Sequence, residues 1–399
     1  MSHASVQEWV RTHLPTLWRD QPLPMRFRGG QAAADQAIAS FDVTGYADAR
    51  NEVWPESARG ASRLSPYIRH GLLSLPRVWG EVTGPDDDVT KFRDELRWQE
   101  YARHLYARLG SALGNSLRFS VSDSTSAAQG DPSPWDTDAL CVRSAVEELR
   151  GEGWIPNQMR MWLASHWTVR SGWGWRDGED HFFRHLLDGS RAANRVGWQW
   201  TSGALTGKPY GFSQWQVRKR APGMCDVCPL NHACPIAKWP PEQEPHPRSV
   251  VDPRLRRDPD VAGTAGPSAP VVVGDPELVW LTAESLGDED PALAAHPELP
   301  AVFVFDLPLL TRLRLSTGRL IFLTECLADL ATRREVRIMI GAPTQLLAGA
   351  KIAATFTPVP GWRTKRIVIE VVAEHPWPWL VKPHAGSVTS FTAWARSRT

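Results

Sequence analysis

Residues 188–200 read DGSRAANRVGWQW, and together with three earlier motifs this stretch decides the fold. The earlier motifs are GASRLSPY at 60–67, ELRWQEY at 95–101 and GWIPNQMRM at 153–161. All four lie in the first part of the chain, where capped amphipathic segments with little alternation predict helices. We therefore expect a helical domain over residues 1–240 that carries every motif.

The chain changes character after this helical part. Residues 241–275 are rich in proline and glycine and poor in apolar residues, which predicts a linker. Over residues 276–399, short β-branched runs alternate with helical stretches such as Leu320–Thr332, and this alternation predicts a parallel sheet with crossover helices. The predicted strands are Leu278–Leu281, Ala301–Phe305, Val336–Ile340 and Arg366–Val372. The fold class is thus a two-domain protein, an α domain followed by an α/β domain.

The composition is that of a globular protein without a strong net charge. Among 399 residues, 45 Lys and Arg face 44 Asp and Glu, so any nucleic-acid binding needs a local basic patch. The 42% hydrophobic share argues against wholesale disorder. The sequence shows no apolar run of roughly 18 residues and no apolar leader, from which we expect a cytoplasmic protein without membrane contact. The 20 tryptophans are unusual, and so large a π-surface serves packing, cofactor or base stacking, or electron transfer.

The cysteines form a metal-binding pattern. Cys225, Cys228 and Cys234 make a C-x2-C-x5-C-P run, a spacing that lets three thiolates bind one metal centre. A fourth ligand is needed, and we favour Cys141 over Cys326 because Cys141 lies in the same helical domain. Two other interpretations stay open: a zinc site in which His232 replaces one cysteine, and buried free thiols.

The four motifs, in this order, resemble those of the photolyase/cryptochrome superfamily. The resemblance implies a helical FAD-binding domain and a Rossmann-like α/β antenna domain, but the family places these domains in the opposite order. The chain is therefore expected to be a circular permutant, with the linker joining the old ends. The cysteine pattern is similar to that of the iron–sulfur bacterial cryptochromes and photolyases, which implies a [4Fe–4S] cluster on Cys141, Cys225, Cys228 and Cys234. An antenna chromophore is possible, and its identity is left open.

The resemblance also implies the flavin site. An ion pair between Arg160 and Asp188 would lie over the flavin ring, with Asn194 beside its N5 atom. The loop at 62–65 would offer N–H and hydroxyl groups to the pyrophosphate, although the same residues are also compatible with an ordinary capped helix start. The full set of implied cofactor-binding residues is Tyr46, Ser62, Arg63, Leu64, Ser65, Arg160, Asp188 and Asn194.

A substrate pocket is implied on the same helices. The side chains that match the pocket for a flipped-out pyrimidine dimer are Glu95, Trp98, Asn157, Met161 and Trp200. Positions that match backbone-phosphate contacts are Arg50, Gln99 and Gln158, although many relatives carry arginine where the two glutamines stand. Trp198 and Trp175 match the first two members of an electron-hopping chain. The usual third tryptophan has no counterpart in the SVSD segment at 120–123, which leaves Trp173, Trp167 or Trp162 as other exits.

Two functions follow from these matches. The first is a light-dependent photolyase that acts as a monomer on damaged DNA and repairs cyclobutane pyrimidine dimers by electron transfer from reduced FAD. The alternative is a cryptochrome-like photoreceptor without repair activity, which the two glutamines and the incomplete tryptophan chain favour. A light-independent iron–sulfur protein that binds nucleic acid is a third class. The lesion is expected to be the cyclobutane dimer, because Pro156-Asn157 stands where the (6-4) enzymes carry a histidine pair.

Overall fold

The computed structural model describes residues 2–19, 25–121, 133–240 and 252–396. Its first part is helical, and no strand is assigned to the described residues before Val271. The helices of this part are α1 (His3–His13), α2 (Gln31–Ala39), α3 (Tyr46–Ala49), α4 (Ser65–Arg69), α5 (Leu75–Glu81), α6 (Asp86–Leu109), α7 (Leu140–Gly151), α8 (Asn157–Ser165), α9 (Trp175–His185), α10 (Arg191–Ser202) and α11 (Gln214–Arg220). This agrees with the predicted helical character of the motif-bearing part.

The later part contains a six-stranded sheet with helices between its strands. Its elements are α12 (Val261–Ala265), β1 (Val271–Val272), β2 (Leu278–Leu281), α13 (Pro291–Ala295), β3 (Ala301–Asp306), α14 (Leu307–Leu313), α15 (Thr317–Leu330), β4 (Val336–Gly341), α16 (Pro343–Leu346), β5 (Ile352–Thr355), α17 (Pro360–Lys365), β6 (Val371–His375) and α18 (Phe391–Arg396). The strand order is β1-β6-β5-β2-β3-β4. All pairings are parallel except β1 with β6, so the sheet is mixed and not wholly parallel as predicted.

One predicted strand is misplaced. The run Arg366–Val372 was expected to be a strand, but α17 ends just before it and β6 begins only at Val371. Ile367 and Val368, the β-branched pair in this run, are 82% and 64% exposed, so they do not pack in the sheet. The sequence also gave no sign of β5, whose residues IAAT include two alanines, a residue depleted in strands.

The predicted linker is partly structured. Residues 241–251 lie outside the described residues. In the rest, Leu255 is buried and Asp258 pairs with Arg108 of α6, Nε to Oδ2 at 3.2 Å. Val271 of β1 then pairs with Glu374 of β6. The segment that follows residue 252 is therefore packed on both parts of the protein.

The helical part and the sheet share a core. Val6 and Val10 of α1 belong to the same buried cluster as Tyr67 of α4 and as Phe322 and Leu327 of α15. A second cluster lies wholly within the helical part and contains the side chains of Trp198, Trp175, Cys141 and Cys225, with Cys234 packed against it. The domain boundaries themselves remain a prediction, but the shared cluster shows that hydrophobic burial crosses them.

The long helix α6 carries the central motif. Asp86, Asp87 and Asp88 occupy its first turn, where negative charge complements the helix dipole. Phe92 and Leu96 are buried in the core shared with the sheet and Tyr101 is buried in a separate cluster, whereas Glu95 and Trp98 of the ELRWQEY motif stay partly exposed. No helix within the described residues combines the length and the apolar character needed to cross a bilayer.

Candidate functional site

The side chains predicted to line a substrate pocket lie on α6, α8 and α10. Helix α10 packs against both α6 and α8. Trp98 and Trp200 are each 37% exposed. Asn157 is exposed, and Glu95 and Met161 are half-buried. All five side chains therefore reach the surface from helices whose other faces are buried.

The carboxylate of Glu95 lies between two cations. Lys91 Nζ is 3.1 Å and Arg50 Nε is 3.4 Å from Glu95 Oε1. Lys91 is one helical turn before Glu95 on α6, whereas Arg50 ends α3 and also donates to the Ala47 carbonyl. Arg50 was predicted from sequence and Lys91 was not, although the i, i+4 spacing of a lysine and a glutamate was a readable signal.

The two exposed indoles have different surroundings. Trp98 stacks on Phe391 of α18, with ring centroids 4.1 Å apart and ring planes inclined by 10°. Trp200 lies 5.4 Å from the ring of Tyr210. Neither Phe391 nor Tyr210 was predicted as a site residue, because both are distant in sequence from the motifs.

The residues after Pro156 divide between the surface and the interior. Asn157 Nδ2 approaches the sulfur of Met161 at 3.6 Å, so these two predicted pocket residues are in contact. Gln158 is only 8% exposed, and its Nε2 donates to the Tyr210 hydroxyl at 3.2 Å. We therefore correct the prediction that Gln158 contacts DNA, since its amide is buried and engaged. Gln99, the other predicted glutamine, is half-buried beside Trp98.

The loop at 62–65 has the geometry of an anion-binding turn. Arg63 has a φ of 58°, and Leu64 has φ −80° and ψ −13°, so successive residues take left- and right-handed helical conformations. Consecutive N–H groups then point into one concavity, which suits phosphate oxygens. No side chain caps α4, so the loop is not the serine-capped helix start that the sequence also allowed.

Neighbouring side chains hold this loop in place. Trp154 Nε1 donates to Ser65 Oγ at 3.0 Å, and the Arg63 guanidinium lies 5.7 Å from the Trp154 ring centroid. Arg63 also donates to Glu56 at 2.9 Å. Ser62 Oγ accepts from the Leu64 N–H at 3.4 Å. A left-handed conformation at a residue other than glycine is strained, and such strain concentrates at functional sites.

The predicted ion pair between Arg160 and Asp188 is present. Arg160 Nη1 and Nη2 donate to the two carboxylate oxygens at 3.2 and 2.8 Å, while its Nε donates to the Ile155 carbonyl at 2.9 Å. The guanidinium is thus fixed by three hydrogen bonds. A bidentate pair of this kind fixes orientation as well as charge.

Two further predicted cofactor residues are buried. Asn194 is 6% exposed, and its Nδ2 has no hydrogen-bond partner in the part of the chain that the structure describes. A buried unsatisfied amide is costly, and a bound group that offers an acceptor would satisfy it. Tyr46 packs edge-on against Phe92 with ring centroids 5.2 Å apart, and burial raises the pKa of its phenol. The orphaned amide and the phosphate-suited loop fit a flavin nucleotide.

The buried tryptophans form a connected network. Trp198 contacts the rings of Trp135 and Trp167, each at 6.4 Å, and Trp167 contacts Trp173 at 5.0 Å. Trp175 is buried in the same hydrophobic cluster, but its ring takes part in none of the contacts just described. Of the alternative exits, Trp167 and Trp173 therefore join the Trp198 network.

Trp162, the third candidate exit, stacks instead on Phe212 at 5.9 Å. In the SVSD segment, residues 122 and 123 lie outside the described residues.

Four cysteines surround one cavity. Cys141, Cys225, Cys228 and Cys234 line an empty space of about 310 Å³, measured with its open mouth. Burial, and secondarily the other three thiols, raises the pKa of Cys141 to about 12. Cys326 is instead buried against Gly29 in the core shared with the sheet.

The thiols do not form a ready-made metal site. In the described ranges, no group of three or more His, Cys, Asp or Glu side chains is arranged to hold a metal ion. Cysteine thiolates are the ligands of both zinc sites and iron–sulfur clusters, so the donor set fits either centre.

The residues after β2 contact the end of α4, the helix that begins at the phosphate-suited loop. His70, which follows α4, bonds through Nδ1 to the Ala283 carbonyl at 2.7 Å, and the Leu286 N–H donates to the His70 carbonyl at 3.0 Å. Arg69 pairs with Glu284 at 2.5 Å. Residues 283–286, which follow β2, therefore make one of the contacts between the sheet and the helical part.

Comparisons with known proteins agree with this geometry. Residues 92–220 match the family described as the FAD binding domain of DNA photolyase. A deoxyribodipyrimidine photo-lyase from Synechococcus sp. is 27% identical over 267 residues, which are 61% of this chain and 49% of that protein. A deoxyribodipyrimidine photo-lyase from Escherichia coli is 32% identical over 188 residues, 44% of this chain and 40% of that one.

Among solved structures, a bacterial class III photolyase from Agrobacterium tumefaciens is 27% identical to this chain, with a TM-score of 0.39. The match covers 44% of this chain and 38% of the photolyase chain. The chain thus spans about half or less of the length of the curated relatives it matches. Over residues 92–220, the chain is therefore similar to the FAD binding domain of DNA photolyases.

Proposed function

We propose that this protein is a light-dependent photolyase that repairs cyclobutane pyrimidine dimers in DNA. The observation that carries the proposal is that two exposed indoles lie on the packed helices that also carry polar side chains at the surface. Trp98 and Trp200 are each 37% exposed on α6 and α10, and α10 packs on α6, which bears Glu95, and on α8, which bears Asn157 and Met161. Flat apolar walls with a few polar groups suit a base that has been flipped out of the duplex.

Each pocket side chain has a role in this proposal. Trp98 and Trp200 stack on the dimer, and the Asn157 amide donates to an exocyclic oxygen. Glu95 meets the hydrogen-bonding edge of the dimer, and Arg50 and Lys91 beside it add positive charge where the DNA backbone approaches. When bound and reduced, FAD supplies the electron that opens the cyclobutane ring. Arg160, Asp188 and Asn194 hold and orient that cofactor.

We also propose that Cys141, Cys225, Cys228 and Cys234 bind a [4Fe–4S] cluster. Their common cavity supports this, because it collects thiols from α7 and from the segment after α11. Anaerobic reconstitution should yield about four iron and four sulfide per chain. Cys141→Ser should lose most of that iron, and Cys326→Ser, a matched buried-thiol control, should keep it. Retention of iron by Cys141→Ser would reject the assignment of the fourth ligand.

The order of the two parts supports the proposal of a circular permutation. The matched FAD-binding segment ends at residue 220, and every strand assigned to the described residues follows residue 270. The short elements between them pack on α6 and β6, as a joining segment must. The antenna chromophore, the monomeric state and the cytoplasmic location remain predictions.

The function is tested with lesion-specific substrates. Reduced, FAD-loaded protein is illuminated with oligonucleotides that carry either one cyclobutane dimer or one (6-4) product, and both lesions are quantified by chromatography. We expect light-dependent loss of the cyclobutane dimer only, because Pro156-Asn157 replaces a histidine pair. Loss of the (6-4) product alone would reassign the lesion, and loss of neither would reject the proposal.

A further inference from the structure

The exposed indole of Trp98 has only one open face. Phe391 covers the other face at a centroid distance of 4.1 Å and an angle of 10°. Tyr101 meets the Trp98 ring edge-on, at 5.7 Å and 81°. The three aromatic side chains therefore leave one face of the indole toward solvent, which accounts for its 37% exposure.

Phe391 is itself firmly held, although it lies near the far end of the chain from α6. Trp394, on the same short helix, is fully buried and donates through Nε1 to His104 Nδ1 of α6 at 2.9 Å. The Tyr101 hydroxyl donates to the Val388 carbonyl at 2.9 Å, just before α18. Phe391 also packs on Tyr101 and Trp394, at 5.9 and 5.6 Å. Two hydrogen bonds and the Phe391–Tyr101 ring contact thus dock α18 and the residues just before it on α6.

We infer that Phe391 is a positioning residue for the substrate pocket, which it serves by holding the Trp98 indole in the orientation that stacks on a planar base. This inference rests on the proposed function for its substrate, but the stack itself does not. An exposed tryptophan on a helix otherwise samples several rotamers, and a base that binds must then order it. Phe391 orders it beforehand, so the C-terminal helix completes a wall whose recognition residues lie on α6.

The size of the effect follows from the stack. The free energy of an offset-stacked aromatic pair changes a dissociation constant by about 2- to 10-fold. The entropy lost when one large side chain is ordered has an effect of similar size. Phe391→Leu keeps apolar bulk and loses the ring. We therefore expect it to bind dimer-containing DNA about 5-fold more weakly. Phe391→Tyr keeps the ring and should restore wild-type affinity.

The orientation of Trp98 is measured without any substrate. Protein labelled with 5-fluorotryptophan gives a fluorine resonance for each indole, and the one that disappears in Trp98→Phe is assigned to Trp98. That resonance should shift and broaden in Phe391→Leu and stay in place in Phe391→Tyr. Phe119→Leu is the matched control, because Phe119 is also a half-buried surface phenylalanine, and it should leave the Trp98 resonance unchanged. An unchanged resonance in Phe391→Leu would overturn the inference.

Binding and repair then separate the inference from the proposed function. Phe391→Leu should raise the dissociation constant for dimer-containing DNA, leave that for undamaged DNA unchanged, and repair normally per photon once saturated. Tighter binding of the dimer by Phe391→Leu would show that Phe391 fills the pocket instead of supporting it, and would overturn the inference. If wild-type protein shows no preference for the dimer, the proposed function fails, while the fluorine experiment still decides the role of Phe391.

Discussion

The Arg160–Asp188 ion pair offers the most quantitative test of the flavin site. Asp188→Asn preserves the shape of the side chain and one acceptor oxygen, but it removes the negative charge and one of two hydrogen bonds at 2.8 and 3.2 Å. The Arg160 and Asp188 side chains are 21% and 6% exposed, so water replaces the lost interaction only in part.

The magnitude follows from this burial. A hydrogen bond to a charged group contributes about 1.5–3 kcal/mol, and loss of one partner of a fully buried pair costs about 3–5 kcal/mol. Because Arg160 keeps some solvent and its bond to Ile155, we expect the free energy of unfolding to fall by about 2 kcal/mol. If the pair also orients the cofactor, the dissociation constant for FAD should rise by about 10-fold or more.

The assay is urea unfolding of the apoprotein together with FAD titration followed by flavin fluorescence. Glu335→Gln is the matched control, because Glu335 pairs with Arg337 at 2.7 Å on the surface, with both side chains more than half exposed. Such a pair contributes little, so neither stability nor FAD affinity should change measurably. Wild-type stability and wild-type FAD affinity in Asp188→Asn would refute the reasoning that places this pair in the flavin site.

Three further substitutions test the substrate pocket, the tryptophan network and the pH dependence of stability. Glu95→Ala should keep FAD bound but lower repair per photon, because a hydrogen bond from the protein to the dimer becomes stronger as negative charge develops on the dimer. The same variant should bind undamaged DNA more tightly, since Arg50 and Lys91 lose the carboxylate that lies between them. Trp198→Phe should slow photoreduction of the oxidised cofactor, measured by absorbance, while chemically reduced protein repairs normally. Glu179→Gln tests pH dependence: burial raises the pKa of Glu179 from 4.5 to about 7, so the folded state binds a proton that the unfolded state has released. The free energy of unfolding should therefore fall between about pH 4.5 and 7, by at most about 3 kcal/mol, and the variant should lose this slope; an equal slope in both proteins would contradict it.

Short-range motifs predicted much of the site. Arg160 and Asp188 were paired correctly because each belongs to a motif with fixed spacing, and the helices around those motifs follow from amphipathic periodicity. The strands β2, β3 and β4 were located because each is a short run rich in β-branched and other apolar residues. Signals of this kind are local, since they depend on neighbours within a few residues.

Contacts between distant segments could not be read from the sequence. Nothing near Trp98 indicates that Phe391 stacks on it, and nothing near Gln158 indicates that Tyr210 buries its amide. The core shared by α1 and α15 has the same cause: Val6 and Phe322 look like ordinary apolar positions until the fold brings them together. We accordingly expect the helical part to depend on the sheet for stability.

The most direct test of the central claim is the loss of cyclobutane dimers per absorbed photon. Fully reduced, FAD-loaded protein is saturated with an oligonucleotide that carries one thymine dimer, illuminated with blue light, and compared with an identical sample kept in the dark. We predict that the dimer disappears in proportion to light absorbed, that intact thymines are recovered in equal amount, and that the dark sample is unchanged. No loss of dimer under illumination, with FAD reduced and the DNA bound, would contradict the account.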